Sequence, residues 1–86
     1  MIHPMAQVQL TPAAVEGVQK LPTPIKSRVN DVIARLADWP NVSGAKLLRG
    51  ELKGAYRIRT GDYRVLFTVK GDVVVVFRVD NRRDVY

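Results

Sequence analysis

Arginines stand at alternating or paired positions in the stretch YRIRTGDYR, as Arg57, Arg59 and Arg64. Guanidinium groups stay positively charged at physiological pH, so the chemistry they offer is anion binding. The charge is also uneven, since residues 46–86 hold ten lysines and arginines against five acidic residues, and residues 1–45 hold four against three. This distribution is typical of a face that binds a polyanion. A basic excess that only keeps the protein soluble is the alternative.

A predicted β-hairpin brings these arginines together. Alternation over residues 55–60 directs the apolar side chains one way and Arg57 and Arg59 the other. Gly61-Asp62 fits a two-residue turn with glycine first, which pairs Arg59 with Arg64. Like charges opposite each other destabilise a sheet by up to about 1 kcal/mol, and a bound anion would relieve the repulsion. The buried face of this hairpin is predicted to hold Tyr56, Ile58, Tyr63, Val65, Phe67 and Val69.

The register of the last strand is not fixed by periodicity, because residues 73–79 are apolar almost throughout. We expect a three-residue loop over residues 70–72. It would direct Val74, Val76 and Arg78 toward the arginines. The same loop would place four residues in the core, namely Val73, Val75, Phe77 and Val79. A two-residue turn would invert that arrangement.

The N-terminal half is predicted to support this sheet. Residues 6–10 alternate as in a short strand, and Thr11-Pro12 and Thr23-Pro24 each combine a capping threonine with a proline that suits the first helical position. Helices are therefore predicted over residues 12–20 and 24–38. Trp39-Pro40 ends the second helix, and Trp39 is expected to pack in or beside the core. A short strand over residues 46–49 precedes the hairpin.

These elements predict a single small α+β domain over residues 1–86, with residues 1–5 as an unstructured lead-in. Its order is β-α-α-β-β-β, with a two-helix hairpin packed on a mainly antiparallel twisted sheet. The chain has no cysteine and one histidine, so we expect neither a disulfide nor a bound metal or other cofactor. No apolar run approaches the ~18 residues that span a bilayer, and no signal peptide is recognisable, so we expect a cytoplasmic protein without membrane contact.

Two segments resemble a known family. GDYRVLF at residues 61–67 and RVDNRRDVY at residues 78–86 are similar to the RelE/ParE superfamily, the toxins of bacterial and archaeal toxin–antitoxin pairs. The predicted order of elements is also that of the family. Within it, the basic strand positions and the final tyrosine resemble RelE, a ribosome-dependent mRNA interferase. The resemblance implies cleavage of messenger RNA in the ribosomal A site, by metal-free attack of a 2′-hydroxyl on the neighbouring phosphate.

The resemblance also implies roles for individual residues. Arg64, Arg82 and Tyr86 match catalytic positions, and Arg57 and Arg59 stand where RelE has lysines. Tyr86 would be the base, which agrees with the permanent protonation of arginine, and Arg82 would be the acid or stabilise the leaving group. Arg57, Arg59 and Arg64 would clamp the phosphate. Neighbouring guanidinium groups would lower the pKa of Tyr86 from about 10 toward a useful range.

Other charged residues are less clearly assigned. Lys46, Arg49 and Lys53 are candidates for contacts to RNA phosphates, with plain solvated charges as the alternative. Asp80 departs from the family pattern, where glycine is common. Its carboxylate is expected to pair with Arg82 or to reduce the local positive potential, either of which would weaken activity.

The resemblance implies three partners, namely a cognate antitoxin from the adjacent gene, the ribosome and messenger RNA. An acidic or amphipathic antitoxin segment would lie along the helices or across the basic groove, and we expect oligomerisation through the antitoxin. Two alternative functions remain open. One is inhibition of DNA gyrase, as in the ParE branch, and the other is a catalytically weakened module that binds RNA or an antitoxin.

Overall fold

The computed structural model describes residues 6–81. Over this range the chain forms β1 (Gln7–Leu10), α1 (Pro12–Gln19), α2 (Thr23–Arg35), β2 (Lys46–Leu47), β3 (Tyr56–Thr60), β4 (Tyr63–Lys70) and β5 (Val73–Asn81). The strands form one sheet in the order β1-β5-β4-β3-β2, in which β1 runs parallel to β5 and the other neighbours are antiparallel. The predicted α+β class is therefore confirmed. The candidate strand over residues 46–49 is present as the two-residue β2, so four strands follow the helices where the predicted order had three.

The hydrophobic core lies between the helices and one face of the sheet. The helical segments contribute Ala14, Val29, Val32, Ile33 and Leu36, and the strands contribute Ile58, Val65, Phe67, Val74, Val76 and Val79. Trp39 closes one edge of this core, with its ring centroid 4.8 Å from that of Tyr56 and 5.3 Å from that of Phe67, both edge to face. The prediction that Trp39 packs beside the core is confirmed. No helix within residues 6–81 is long and apolar enough to cross a membrane.

The predicted β3–β4 hairpin is confirmed. Arg59 faces Arg64, Thr60 faces Tyr63, and Ile58 faces Val65. Gly61 has a φ of +59°, as a turn with glycine first requires. The arginines and Leu66 consequently lie on the side of the sheet away from the helices. The side facing the helices holds, as predicted, Tyr56, Ile58, Tyr63, Val65, Phe67 and Val69.

The predicted three-residue loop before β5 is wrong. Lys70 pairs with Val73, so the turn has two residues, and Val74 and Val76 occupy the core in place of their neighbours. The parallel pairing explains this choice, because Val8 and Leu10 of β1 lie beside those two valines and complete one apolar face.

A bulge at Phe77 then reverses the alternation along β5. Leu66 pairs with Arg78 and Phe67 with Val76, so Phe77 is the extra residue on β5. As a result Val79 returns to the core as predicted, and Phe77, which was expected there, does not join it. Arg78 lies on the side of the arginines, as expected.

The two Thr-Pro sequences behave differently. Thr11 caps α1, because its Oγ1 accepts a hydrogen bond from the Ala14 amide at 3.2 Å. The predicted capping by Thr23 is wrong. Pro22 takes the cap position of α2, and no side chain bonds to the free amides. The second helix also ends earlier than predicted, at Arg35, and continues as a 3-10 turn over Leu36–Asp38.

Gly17 lets α1 lie directly on β5. A Cβ atom at this position would come within 2.7 Å of the carbonyl oxygen of Val79. A glycine in the middle of a helix usually weakens it, but here the missing side chain permits close packing of helix and strand. The helical layer is thereby held against the strand that also carries Arg78 and Asp80.

Candidate functional site

The candidate site lies on the outer face of the sheet, which is the face opposite the helices. Cross-strand pairing arranges its residues in two rows. The first row crosses four strands and consists of Lys46, Arg57, Leu66 and Arg78. The second row crosses three strands and consists of Arg59, Arg64 and Asp80. The two rows thus hold five basic side chains and one carboxylate.

Asp80 is the centre of the second row. Arg64 donates hydrogen bonds to it from Nε at 3.1 Å and from Nη2 at 3.2 Å. Arg78 also reaches this carboxylate, with its Nε 3.1 Å from Oδ2. The Arg64 and Asp80 side chains are only 15% and 17% exposed, whereas that of Arg78 is 53% exposed. One carboxylate therefore binds two guanidinium groups of different accessibility.

This arrangement changes the interpretation of the arginine pair across β3 and β4. The repulsion between Arg59 and Arg64 suggested that an external anion is needed to relieve it. Asp80 supplies an internal anion on the opposite side of Arg64. Charge-assisted bidentate pairs of this kind are stronger than neutral hydrogen bonds and fix the guanidinium plane. Arg59 is exposed and has no ion-pair partner within residues 6–81.

The first row continues into a shallow groove at the edge of the sheet. Its lining consists of Lys46, Leu47, Leu48, Arg49 and Arg57, and its volume is about 500 Å³. The structure therefore brings Arg49 next to the candidate site, together with the predicted Lys46. Lys53, the third predicted RNA contact of this group, is exposed in the connection between β2 and β3 and belongs to neither row.

Arg82 and Tyr86, the predicted acid and base, lie outside the described residues, as does any pairing of Asp80 with Arg82. The sequence interpretation missed the pairing of Asp80 with Arg64 and left Arg78 without a role. The bulge at Phe77 produces both contacts of Asp80, because it sets this residue opposite Arg64 and beside Arg78. The complementary charges were visible in the sequence, but the bulge had no recognisable signal.

Within residues 6–81, no group of histidine, aspartate or glutamate side chains is arranged to hold a metal ion.

Known proteins match this chain over nearly its whole length. Residues 8–86 match the family model described as the ParE toxin of type II toxin–antitoxin systems. The chain is 33% identical over 81 residues to toxin RelG of Mycobacterium tuberculosis, which covers 92% of this chain and 93% of RelG. It is 31% identical over 75 residues to toxin RelE3 of Methanocaldococcus jannaschii, which covers 84% of this chain and 85% of RelE3.

Solved structures share the fold. A chain of the toxin–antitoxin complex RelBE2 from Mycobacterium tuberculosis has a TM-score of 0.78 and 31% identity, over 91% of this chain and 99% of that chain. A chain of the RelB–RelE antitoxin–toxin complex from Methanococcus jannaschii has a TM-score of 0.77 and 26% identity, over 91% of this chain and 94% of that chain. Together with the family match, these similarities establish that the chain belongs to the RelE/ParE superfamily of type II toxin–antitoxin toxins.

Proposed function

We propose that this protein is the toxin of a type II toxin–antitoxin pair and that it cleaves messenger RNA on the ribosome. The observation that carries the proposal is the outer face, where five basic side chains in two cross-strand rows accompany a single carboxylate. The phosphodiester backbone of RNA is the polyanion that such a face suits, because phosphate contacts supply much of the affinity for nucleic acids. The similarity to RelG and RelE3 supports this class of protein.

The proposed reaction is a transesterification within the RNA strand. The 2′-oxygen attacks the adjacent phosphorus, a cyclic phosphate forms, and the bond to the 5′-oxygen of the next nucleotide breaks. A base must take the 2′-hydroxyl proton, an acid must protonate the departing oxygen, and cations must stabilise the charge that develops on the phosphate. We assign the base to Tyr86 and the acid to Arg82.

The phosphate clamp would consist of Arg57, Arg59 and Arg64. Arg64 has Nε and Nη2 bound to Asp80, so Nη1 is the nitrogen that would donate to a phosphate. Its side chain is therefore a fixed donor, whereas exposed Arg59 reaches the ligand by adjusting its own rotamer. This division of roles gives both a defined geometry and charge compensation in the transition state.

We also propose that a cognate antitoxin neutralises the toxin and that oligomers form through it. The solved complexes of similar toxins with their antitoxins support such a partner. An acidic antitoxin segment that covers the outer face would compete directly with RNA for the same basic residues. The ribosome and its bound messenger RNA are the proposed target.

The test is a translation reaction with purified components. We expect the toxin to cut messenger RNA only when ribosomes are present, with cut sites mapped by primer extension. Adding the product of the neighbouring antitoxin gene should stop the cleavage. Intact messenger RNA in the presence of ribosomes would contradict the proposal.

Variants of the proposed acid and base make this test specific. Tyr86→Phe removes only the phenolic hydroxyl and should abolish both cleavage and growth arrest. Arg82→Gln should lower the cleavage rate by about 100-fold or more, as expected for general acid–base groups. Arg28→Gln is the matched control, because Arg28 is exposed on α2 in the helical layer. Full toxicity of Tyr86→Phe would exclude this tyrosine as the base.

A second candidate function is favoured by one observation. Asp80 occupies two of the donors of Arg64, which supports a weakened enzyme that binds RNA or an antitoxin without cleaving efficiently. Binding without cleavage in the translation reaction would select this function. The match to the ParE family model also keeps gyrase inhibition as an alternative, and gyrase-linked DNA breaks with intact messenger RNA would select it.

A further inference from the structure

We infer that Arg78 is an RNA-binding residue and that Asp80 joins it to Arg64 as one anion-binding unit on the outer face. The ligand of this unit is the phosphodiester backbone of RNA. The inference rests on the proposed RNA target and adds to it a contact residue, Arg78, and a positioning residue, Asp80. Both residues belong to β5, which follows the hairpin that carries Arg57, Arg59 and Arg64.

The geometry of the unit depends on the two oxygens of Asp80. Oδ1 accepts from Arg64 Nε at 3.1 Å, and Oδ2 accepts from Arg64 Nη2 at 3.2 Å. The same Oδ2 lies 3.1 Å from Arg78 Nε. Two guanidinium groups therefore lie beside one carboxylate, and the three groups together keep one uncompensated positive charge.

The two arginines differ in what they can offer a ligand. The Arg64 side chain is 15% exposed, so most of its surface is enclosed by the sheet and its neighbours. The Arg78 side chain is 53% exposed and contacts Asp80 through Nε. The contact with Asp80 uses Nε and leaves the two terminal amino groups of this half-exposed side chain for a ligand, and a guanidinium fork matches the oxygens of a phosphate.

Arg78 also extends the basic surface in a defined direction. It occupies the first row with Arg57, and fully buried Leu66 lies between them on β4. Neighbouring strands are about 4.8 Å apart, so the backbones of Arg57 and Arg78 lie roughly 10 Å from each other. A strand of RNA bound at Arg57 and Arg59 would reach Arg78 by crossing the sheet from β3 to β5.

The surroundings of Arg78 favour RNA over a protein partner that would dock there through an apolar anchor. Protein interfaces usually depend on a central apolar or aromatic anchor that becomes buried. Within residues 6–81 the large hydrophobic residues with exposed side chains are Val15 and Leu47, which lie on α1 and on β2. Leu66, the apolar neighbour of Arg78 in its row, is fully buried. Among the described residues, the surface around Arg78 therefore has no large exposed hydrophobic residue and offers the charge and hydrogen-bond donors that phosphate recognition requires.

The experiment measures binding to ribosomes programmed with an mRNA whose A-site codon carries 2′-O-methyl groups, which block cleavage. The affinity of the full chain is determined at several salt concentrations. We expect Arg78→Gln to bind about five- to tenfold more weakly, since a charge-assisted contact is lost. The slope of log K against log salt should fall by about 0.7, as expected for one phosphate contact to a single strand. Arg28→Gln, the same change in the helical layer, should stay within about twofold of the unchanged protein.

Two further variants separate binding from structural support. Arg78→Lys keeps the charge, so it should recover the salt slope and part of the affinity. Asp80→Asn keeps the shape of the side chain but removes its charge, so RNA should bind about threefold more tightly at low salt, with a steeper slope. Its kcat for cleavage of unmodified mRNA should fall, because Arg64 and Arg78 lose their fixed orientation. Tighter binding with slower cleavage is a combination that simple loss of folding does not produce.

The possible outcomes are distinct. Equal RNA affinity of Arg78→Gln and Arg28→Gln would overturn the inference, even if the unchanged toxin cleaves mRNA. Weaker antitoxin binding by Arg78→Gln with unchanged RNA affinity would also overturn it. Arg78-dependent RNA binding by a protein that does not cleave mRNA would support the inference and contradict the proposed catalysis. Thermal melting of each variant, with recovery by Arg78→Lys, identifies any loss of folding.

Discussion

Arg64 of β4 donates two hydrogen bonds to the carboxylate of Asp80 on the neighbouring strand β5, at 3.1 and 3.2 Å. On its other side, Arg64 faces Arg59 of β3. The protein therefore places a fixed anion next to this pair of opposed cations. This relationship explains how a sheet can carry directly opposed arginines without a bound ligand.

The Arg64–Asp80 pair should contribute measurably to stability, because both side chains are less than one fifth exposed. We expect Asp80→Ala to lower the free energy of unfolding by about 1.5 to 3 kcal/mol, since a mostly buried guanidinium loses its partner. Urea denaturation followed by Trp39 fluorescence measures this change. Asp31→Ala, at an exposed position of α2, should change stability by less than about 0.5 kcal/mol. Equal effects would mean that the pair contributes nothing.

Thr11 and Thr23 provide a matched comparison within one chain, because each precedes a proline but only Thr11 caps a helix. Its hydroxyl also donates to the carbonyl oxygen of Phe77 at 3.3 Å, which links the start of α1 to the bulge in β5. We expect Thr11→Val to destabilise the protein by about 1 kcal/mol or more. Thr23→Val should change stability by less than about 0.5 kcal/mol, and a loss as large as that at Thr11 would disprove the difference.

Gly17 should not tolerate even one methyl group. Alanine is the better helix former by about 1 kcal/mol, but its Cβ would collide with the backbone oxygen of Val79. Overpacking against a backbone atom usually costs about 1 to 3 kcal/mol. We therefore expect Gly17→Ala to lower the melting temperature, whereas Gln19→Ala on the exposed side of the same helix should leave it unchanged. A higher melting temperature for Gly17→Ala would contradict the close packing.

The register of β5 can be tested with two adjacent valines. Val74 is fully buried in the core, and Val75 pairs with exposed Thr68 on the outer face. Val74→Thr buries a hydroxyl and should cost about 1 to 3 kcal/mol of unfolding free energy. Val75→Thr should cost less than about 0.5 kcal/mol, because its hydroxyl keeps access to water. The opposite order of effects in urea denaturation would support the register expected from a three-residue loop.

Local patterns predicted the elements that depend on neighbouring residues. The β3–β4 hairpin follows from strict alternation and a turn with glycine first, and these two signals are enough to pair Arg59 with Arg64. The start of α1 follows from Thr11 and the proline after it. In each case the physical signal lies within a few residues of the chain, which is why the sequence alone contained it.

Tertiary contacts decided what these patterns left open. Residues 73–77 are apolar at every position, so their own sequence favours neither face, and pairing with β1 selected Val74 and Val76 for the core. The bulge at Phe77 then placed Asp80 opposite Arg64 and Arg78 beside it. The sequence by itself therefore determined a basic hairpin in a small α+β domain. Only the folded sheet determined which carboxylate joins the arginines, because contacts between distant strands fix that register.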